Sequence, residues 1–222
     1  MSEHLAGPDP SRFPPLNDEY VREIDVDVPL GRIYFADGEY PATWNGFRYF
    51  GPTTSRFDHQ EPPAALDPVR GVLYLAPSMN DARGDRMSSV ETALLECFRD
   101  RGIVDVSTDR PYFALFTPVR RLRLLDLSDS EWVTVAGANA AITSGPREAA
   151  RQWARAVYDR YDDVDGVFYA TSNRPLSRSI ALWERGADAF PTRPTLNMPL
   201  DHMGLRAAVE SFAARVGLGL LW

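Results

Sequence analysis

Gly71 to Phe98 is the most constraining stretch of this 222-residue chain: a short apolar run, GVLYLAP, a polar excursion, SMNDARGDRM, and the helical pattern SSVETALLECF. Val72 to Ala76 is a continuous apolar segment of strand length closed by Pro77, which suits a strand buried on both faces, with Tyr74 inside it. Ser88 followed three residues later by Glu91 predicts a capping box, hydroxyl and carboxylate each satisfying one free amide. Val90, Ala93, Leu94, Cys97 and Phe98 then recur at helical spacing and form one apolar stripe. Glu96 falls off that stripe, on the flank nearest Ala93, where periodicity alone predicts a solvated surface carboxylate.

The rest of the chain intermingles strands and helices. Residues 1–19 carry four of the 18 prolines and little apolar content, so they read as an extended arm that stays mobile or wraps the surface. Gly31 to Phe35 (GRIYF) is a strand in which Arg32 and Tyr34 share a face. Residues 36–69 read as aromatic-rich loops that pack down on something, with Arg56 and Phe57 in their later half. YFALFTPV and LRLLDL are two strands, a hairpin or two separate members of a sheet, and Trp132 to Val135 is a further short strand or part of a turn. Gly145-Pro146 opens a helix to Tyr161, with Pro146 suited to its first position and Ser144 ahead of it as a cap. GVFYAT is another apolar strand, ending at Ser172, with Ile180 to Trp183 as its neighbour. A proline-broken connection from Phe190 to Pro199 and a helix from Gly204 to Val216 complete the chain. This mixture predicts an α/β (α+β) fold, one domain over residues 20–222 with a mixed sheet flanked by helices.

Composition excludes several functions. A formal net charge of −7 and a pI near 5.0, with no basic run longer than Arg120-Arg121, predict no direct nucleic-acid binding. Cys97 is the only cysteine and lies on the apolar stripe, which predicts a buried small hydrophobe and a reducing compartment. The first residues have no cationic start, and no apolar run approaches the ~20 residues that span a bilayer. A cytoplasmic protein without membrane attachment is expected. His4, His59 and His202 are scattered, and no G-x-S-x-G elbow, phosphate loop or cysteine pair occurs, so neither a histidine triad nor a metal site is expected.

Any chemistry therefore rests on Arg, Tyr, Ser and carboxylates. That set suits cleavage of an N-glycosidic bond to a cationic pyridine, whose neutral leaving group needs no proton. A carboxylate stabilises the oxocarbenium-like transition state, arginines hold a diphosphate in paired hydrogen bonds, and an aromatic ring stacks on the base.

The ordered series GRIY, SRFD, VLYLA, ETALLECF, LRLLDLSD, RQWA, DGVFYATSNRP and SIALWER, from about Pro29 to Glu184, resembles the RES-domain family. The resemblance implies a fold like that of ADP-ribosyltransferases and an enzyme that consumes NAD as its substrate. Such an enzyme is a glycohydrolase or phosphorylase, acting as the toxin of a toxin–antitoxin pair with a small DNA-binding antitoxin as partner. It leaves room for a homodimer, for a transferase acting on a protein acceptor, and for a catalytically silent nucleotide- or partner-binding module. It also raises Glu96 from a surface carboxylate to a catalytic candidate beside the reacting ribose. Arg32 and Arg56 match the family's arginines for the diphosphate or ribose, Tyr74 its pocket tyrosine against the nicotinamide, and Ser172 its serine, with Ser144 as rival. Tyr34, on the same strand face as Arg32, and Phe57, next to Arg56, complete the expected NAD-binding set.

Overall fold

The computed structural model describes residues 5–80, 86–172 and 174–222. His4 and the middle of the 79–87 excursion therefore lie outside the described residues. Along the chain run β1 (Val21–Ile24), β2 (Leu30–Phe35), the ribbon β3 (Phe50–Gly51) with β4 (Ala65–Leu66), β5 (Val72–Pro77), and the ribbon β6 (Met79–Asn80) with β7 (Arg86–Met87). Helix α1 (Ser89–Phe98) is followed by β8 (Ile103–Asp105), β9 (Pro111–Phe116) and β10 (Leu122–Asp126). Then come α2 (Trp132–Val135), α3 (Ala141–Ser144), α4 (Arg147–Arg160), β11 (Gly166–Thr171), β12 (Arg174–Trp183), β13 (Leu196–Pro199), α5 (Met203–Val216) and β14 (Gly219–Leu221).

One mixed eight-stranded sheet in the order β1-β10-β11-β12-β5-β2-β9-β13 organises the molecule, with helices against it, so the α/β expectation holds. The apolar run 72–77 is a central strand, as continuous burial demands: Val72, Leu73, Leu75 and Ala76 are all buried. Leu73 and Leu75 join a core with Leu30, Phe116, Leu124, Phe168 and Ile180, while Ala76 on the alternate face packs with Leu94 and Phe98 of α1.

Several expectations needed correction. Ser88 precedes α1 without a side-chain capping bond, and the Glu91 carboxylate is drawn instead into ion pairs with Arg215 at 2.7 Å and Arg174 at 3.8 Å. Ser144 ends α3, its hydroxyl donating to the Ala140 carbonyl at 3.1 Å, and does not cap α4, whose N-cap is Pro146. Trp132 to Val135 is a helical turn that buries Trp132; of the two arrangements open to β9 and β10, separate sheet members is the one observed. The proline-broken connection contains the edge strand β13, which pairs with β9 from Leu196↔Leu115 to Pro199↔Tyr112.

The N-terminal arm wraps the surface. Phe13 is buried, stacked on Trp153 at 5.6 Å and edge-on to Trp132 at 5.2 Å. The buried indole and phenol find backbone partners on the arm: Trp153 Nε1 donates to Ala6 O at 2.9 Å and Tyr161 OH to Pro14 O at 2.7 Å. Among the described residues no helix is long and apolar enough to cross a membrane.

Candidate functional site

Strands β2 and β5 pair over two positions only, Leu30↔Pro77 and Gly31↔Ala76, and then part. A pocket of about 460 Å³ opens at this split, lined by Arg32 and Ile33 of β2 and by Tyr74, Leu75 and Ala76 of β5. Helix α1 lies beside both strands because Gly31 has no side chain: a Cβ there would meet Ser89 Cβ at 2.8 Å. That close approach brings Glu96, in the last turn of α1, to the pocket wall. Arg56 enters from the loop between β3 and β4, and Ser172 from just after β11.

Five expected residues thus meet in one cavity: Arg32, Arg56, Tyr74, Glu96 and Ser172. Tyr34 and Phe57 do not line it. Tyr34 donates to Asn197 Oδ1 at 2.9 Å and stacks on Tyr112 at 5.5 Å, a link to β13 that carries its ring away from the split. Phe57 is fully buried and packs on Tyr169 at 4.5 Å, anchoring the loop that presents Arg56. Ser144 also lies outside the pocket.

The pocket reverses the sign of the molecule. Among the described residues four arginines, Arg32, Arg56, Arg101 and Arg147, line it against two carboxylates, Glu96 and Asp100, in a chain of net charge −7. Arg32 donates to the carbonyls of Trp44 and Gly46, both at 3.0 Å, and forms no ion pair among the described residues. Burial lowers its pKa to about 10, so it remains a cation near neutrality. Arg56 donates to Gly145 O at 2.7 Å, and burial, then the nearby Arg147, pulls its pKa down. Arg147 itself bonds Asp100 at 2.7 Å. Cations held by neutral carbonyls keep their charge available for an anionic ligand.

Glu96 is open to water through the cleft, yet the surrounding protein withdraws enough solvent to raise its pKa to about 7, against the opposing pull of Arg56 and Arg147. Cys97 beside it is half-buried at the pocket wall rather than sealed in the core, and burial pushes its thiol up to about 12, so it stays protonated. Tyr74 OH donates to Asp58 Oδ1 at 2.9 Å and accepts from the Phe57 amide at 3.1 Å. Its hydroxyl is thus committed to the protein, and burial raises its pKa well above the usual value.

Sequence reasoning missed Arg147, Tyr169 and Asp58. Arg147 directly follows the Gly145-Pro146 helix start, Tyr169 lies in the strand that leads to Ser172, and Asp58 is two residues after Arg56. Each was adjacent to a feature already singled out, but none carried a pattern of its own. Among the described residues no group of three or more His, Cys, Asp or Glu is arranged to hold a metal ion.

The model of the RES domain matches residues 29–201. A chain of the crystal structure of the M. tuberculosis MbcT-MbcA toxin–antitoxin complex is similar with a TM-score of 0.54 and 15% identity. The alignment covers 92% of this chain and 96% of that one, and at such identity what is shared is the fold. No curated protein matches the chain.

Proposed function

The chain belongs to the RES-domain family, and from that premise we propose that it cleaves the nicotinamide–ribose bond of NAD. The observation that carries this reading is the convergence of Arg32, Arg56, Tyr74, Glu96 and Ser172 on one cationic pocket at the β2/β5 split. A dinucleotide diphosphate is an ordinary ligand for unpaired arginines in such a setting. With its hydroxyl turned to Asp58, Tyr74 offers the pyridine a ring rather than a proton donor. Nicotinamide leaves as a neutral base, so no general acid is needed. The ribose carbon gains positive character, and ionised Glu96 stabilises it and holds a ribose hydroxyl. Ser172 supplies a hydrogen-bond partner at the pocket rim.

Water, phosphate or an acceptor side chain then forms the new bond to the same carbon, giving glycohydrolase, phosphorylase or transferase outcomes. Activity of this kind depletes a central cofactor. Together with the fold shared with a toxin–antitoxin complex, it supports a toxin restrained by a small antitoxin protein in the cytoplasm.

Nicotinamide release from NAD by the purified protein, with and without phosphate, tests the reading. Release that fails in Glu96→Gln establishes the enzyme, and phosphate dependence selects phosphorolysis. A folded protein that releases none, in either condition, overturns cleavage in favour of a transferase awaiting its acceptor or a silent binding module.

A further inference from the structure

Asp58 is fully buried and does not line the pocket, yet four donors converge on its carboxylate. Arg48 Nη2 donates at 2.6 Å, the Thr53 amide at 2.7 Å, the Thr53 hydroxyl at 2.8 Å and Tyr74 OH at 2.9 Å. A carboxylate removed from water demands such compensation. What matters is where the donors come from. Arg48 is bridged to Val72 at the start of β5, Thr53 opens the loop that ends at Asp58 itself, and Tyr74 stands in the middle of β5.

The loop is therefore closed on itself, Thr53 against Asp58, and pinned through the Asp58–Tyr74 bond to the strand that forms one wall of the pocket. Between Thr53 and Asp58, Thr54, Ser55 and Arg56 face the pocket. Phe57 turns the other way, its ring buried against Tyr169 and its amide donating to Tyr74 OH at 3.1 Å. Tyr74 thus sits between Asp58 and the Phe57 amide, unable to rotate without breaking one of the two bonds.

We propose that Asp58 is a positioning residue, a buried clamp that sets the Arg56 guanidinium and the Tyr74 ring at the separation the dinucleotide requires, without touching substrate. The proposal deepens, and rests on, the reading of this pocket as the NAD site. Its consequence is that Asp58 and Tyr74 act as one unit, so that breaking either end of their bond misplaces the same groups.

The test compares wild type, Asp58→Asn, Tyr74→Phe and the double variant in nicotinamide release from NAD, well below their melting temperatures. Asn keeps the shape and removes the charge. Asp58→Asn should lose about 10- to 100-fold in kcat/KM, the scale of a misplaced binding group, and the double variant should be no worse than the poorer single one. Independent, multiplicative losses, or a folded Asp58→Asn with wild-type kcat/KM, overturn the clamp. If Asp58→Asn does not fold, Thr53→Val removes a single donor, and a folded Thr53→Val with unchanged kcat/KM overturns it equally.

Hydrogen exchange of the Phe57 amide needs no substrate and separates the two levels of the proposal. Its protection should fall in both single variants while amides of α4 and β11 stay protected. Retained protection in Asp58→Asn overturns the clamp. A wild type that releases no nicotinamide overturns the NAD reading alone.

Discussion

Arg56 reaches from the loop between β3 and β4 to the carbonyl oxygen of Gly145, where its Nη1 donates at 2.7 Å across 89 residues of sequence. One edge of the guanidinium fork is thereby fixed to the turn that begins α4, and the rest of it belongs to the pocket shared with Glu96.

That geometry makes lysine a poor substitute. Arg56→Lys retains the charge and loses the fork, so kcat/KM for nicotinamide release should fall by about 10- to 100-fold, the worth of one charge-assisted hydrogen bond. Thermal melting should change little. Wild-type kinetics in this variant would exclude Arg56 from substrate binding.

With a pKa raised to about 7, Glu96 changes charge in the middle of the working range. If the ionised form stabilises the transition state, kcat/KM should rise with pH through an inflection near 7 and level off above it. Glu96→Gln should abolish that inflection and lower the plateau by about 100-fold or more. A pH profile measured on both proteins decides the point.

The same shift predicts an unusual stability profile. An unfolded glutamate has its ordinary pKa of 4.5, so between 4.5 and about 7 the folded protein holds a proton that the unfolded chain has released. Glu96 therefore makes stability fall as pH rises across that window and contributes a constant penalty above it. Relative to wild type, Glu96→Gln should be equally stable near pH 4 and more stable near pH 8, by up to about 1 kcal/mol once water in the open cleft is allowed for. Urea unfolding at the two pH values measures the difference.

Phe57 is fully buried against Tyr169. Truncation to alanine should cost about 3–5 kcal/mol, as large-to-small aromatic changes in cores do, and the residual folded protein should lose activity through a slackened Arg56 loop. A urea midpoint close to wild type would contradict the packing described.

Gly31 is the contact that lets α1 approach the sheet. In Gly31→Ala the new methyl would lie 2.8 Å from Ser89 Cβ and 2.9 Å from Phe113 Cε2. The variant should lose about 1–3 kcal/mol by overpacking and, because α1 carries Glu96, a larger share of its kcat than Ala substitutions on the exposed face of α5. Thermal melting and nicotinamide release together check both effects.

The elements nearest the site were readable from local pattern. An apolar run and an apolar stripe are signals carried by adjacent residues, and β5 and α1 appeared where they predicted. Signals that depend on a distant partner were misread: Glu91 met Arg215 instead of its own helix amides, and β13 needed β9 to pair with before its proline-rich segment became a strand.

By itself the sequence determined the mixed α/β class, the buried strand bearing Tyr74, the helix bearing Glu96 and the order of motifs that marks the family. Only the tertiary structure decided that β2 and β5 part after two pairs, that Tyr34 and Phe57 turn from the resulting pocket while Arg147 and Tyr169 enter it, and that Asp58 ties loop to strand. The physical reason is range. Periodicity reports which face of an element avoids water, whereas a pocket is set by where long-range strand pairing stops and by which distant donors satisfy a buried charge.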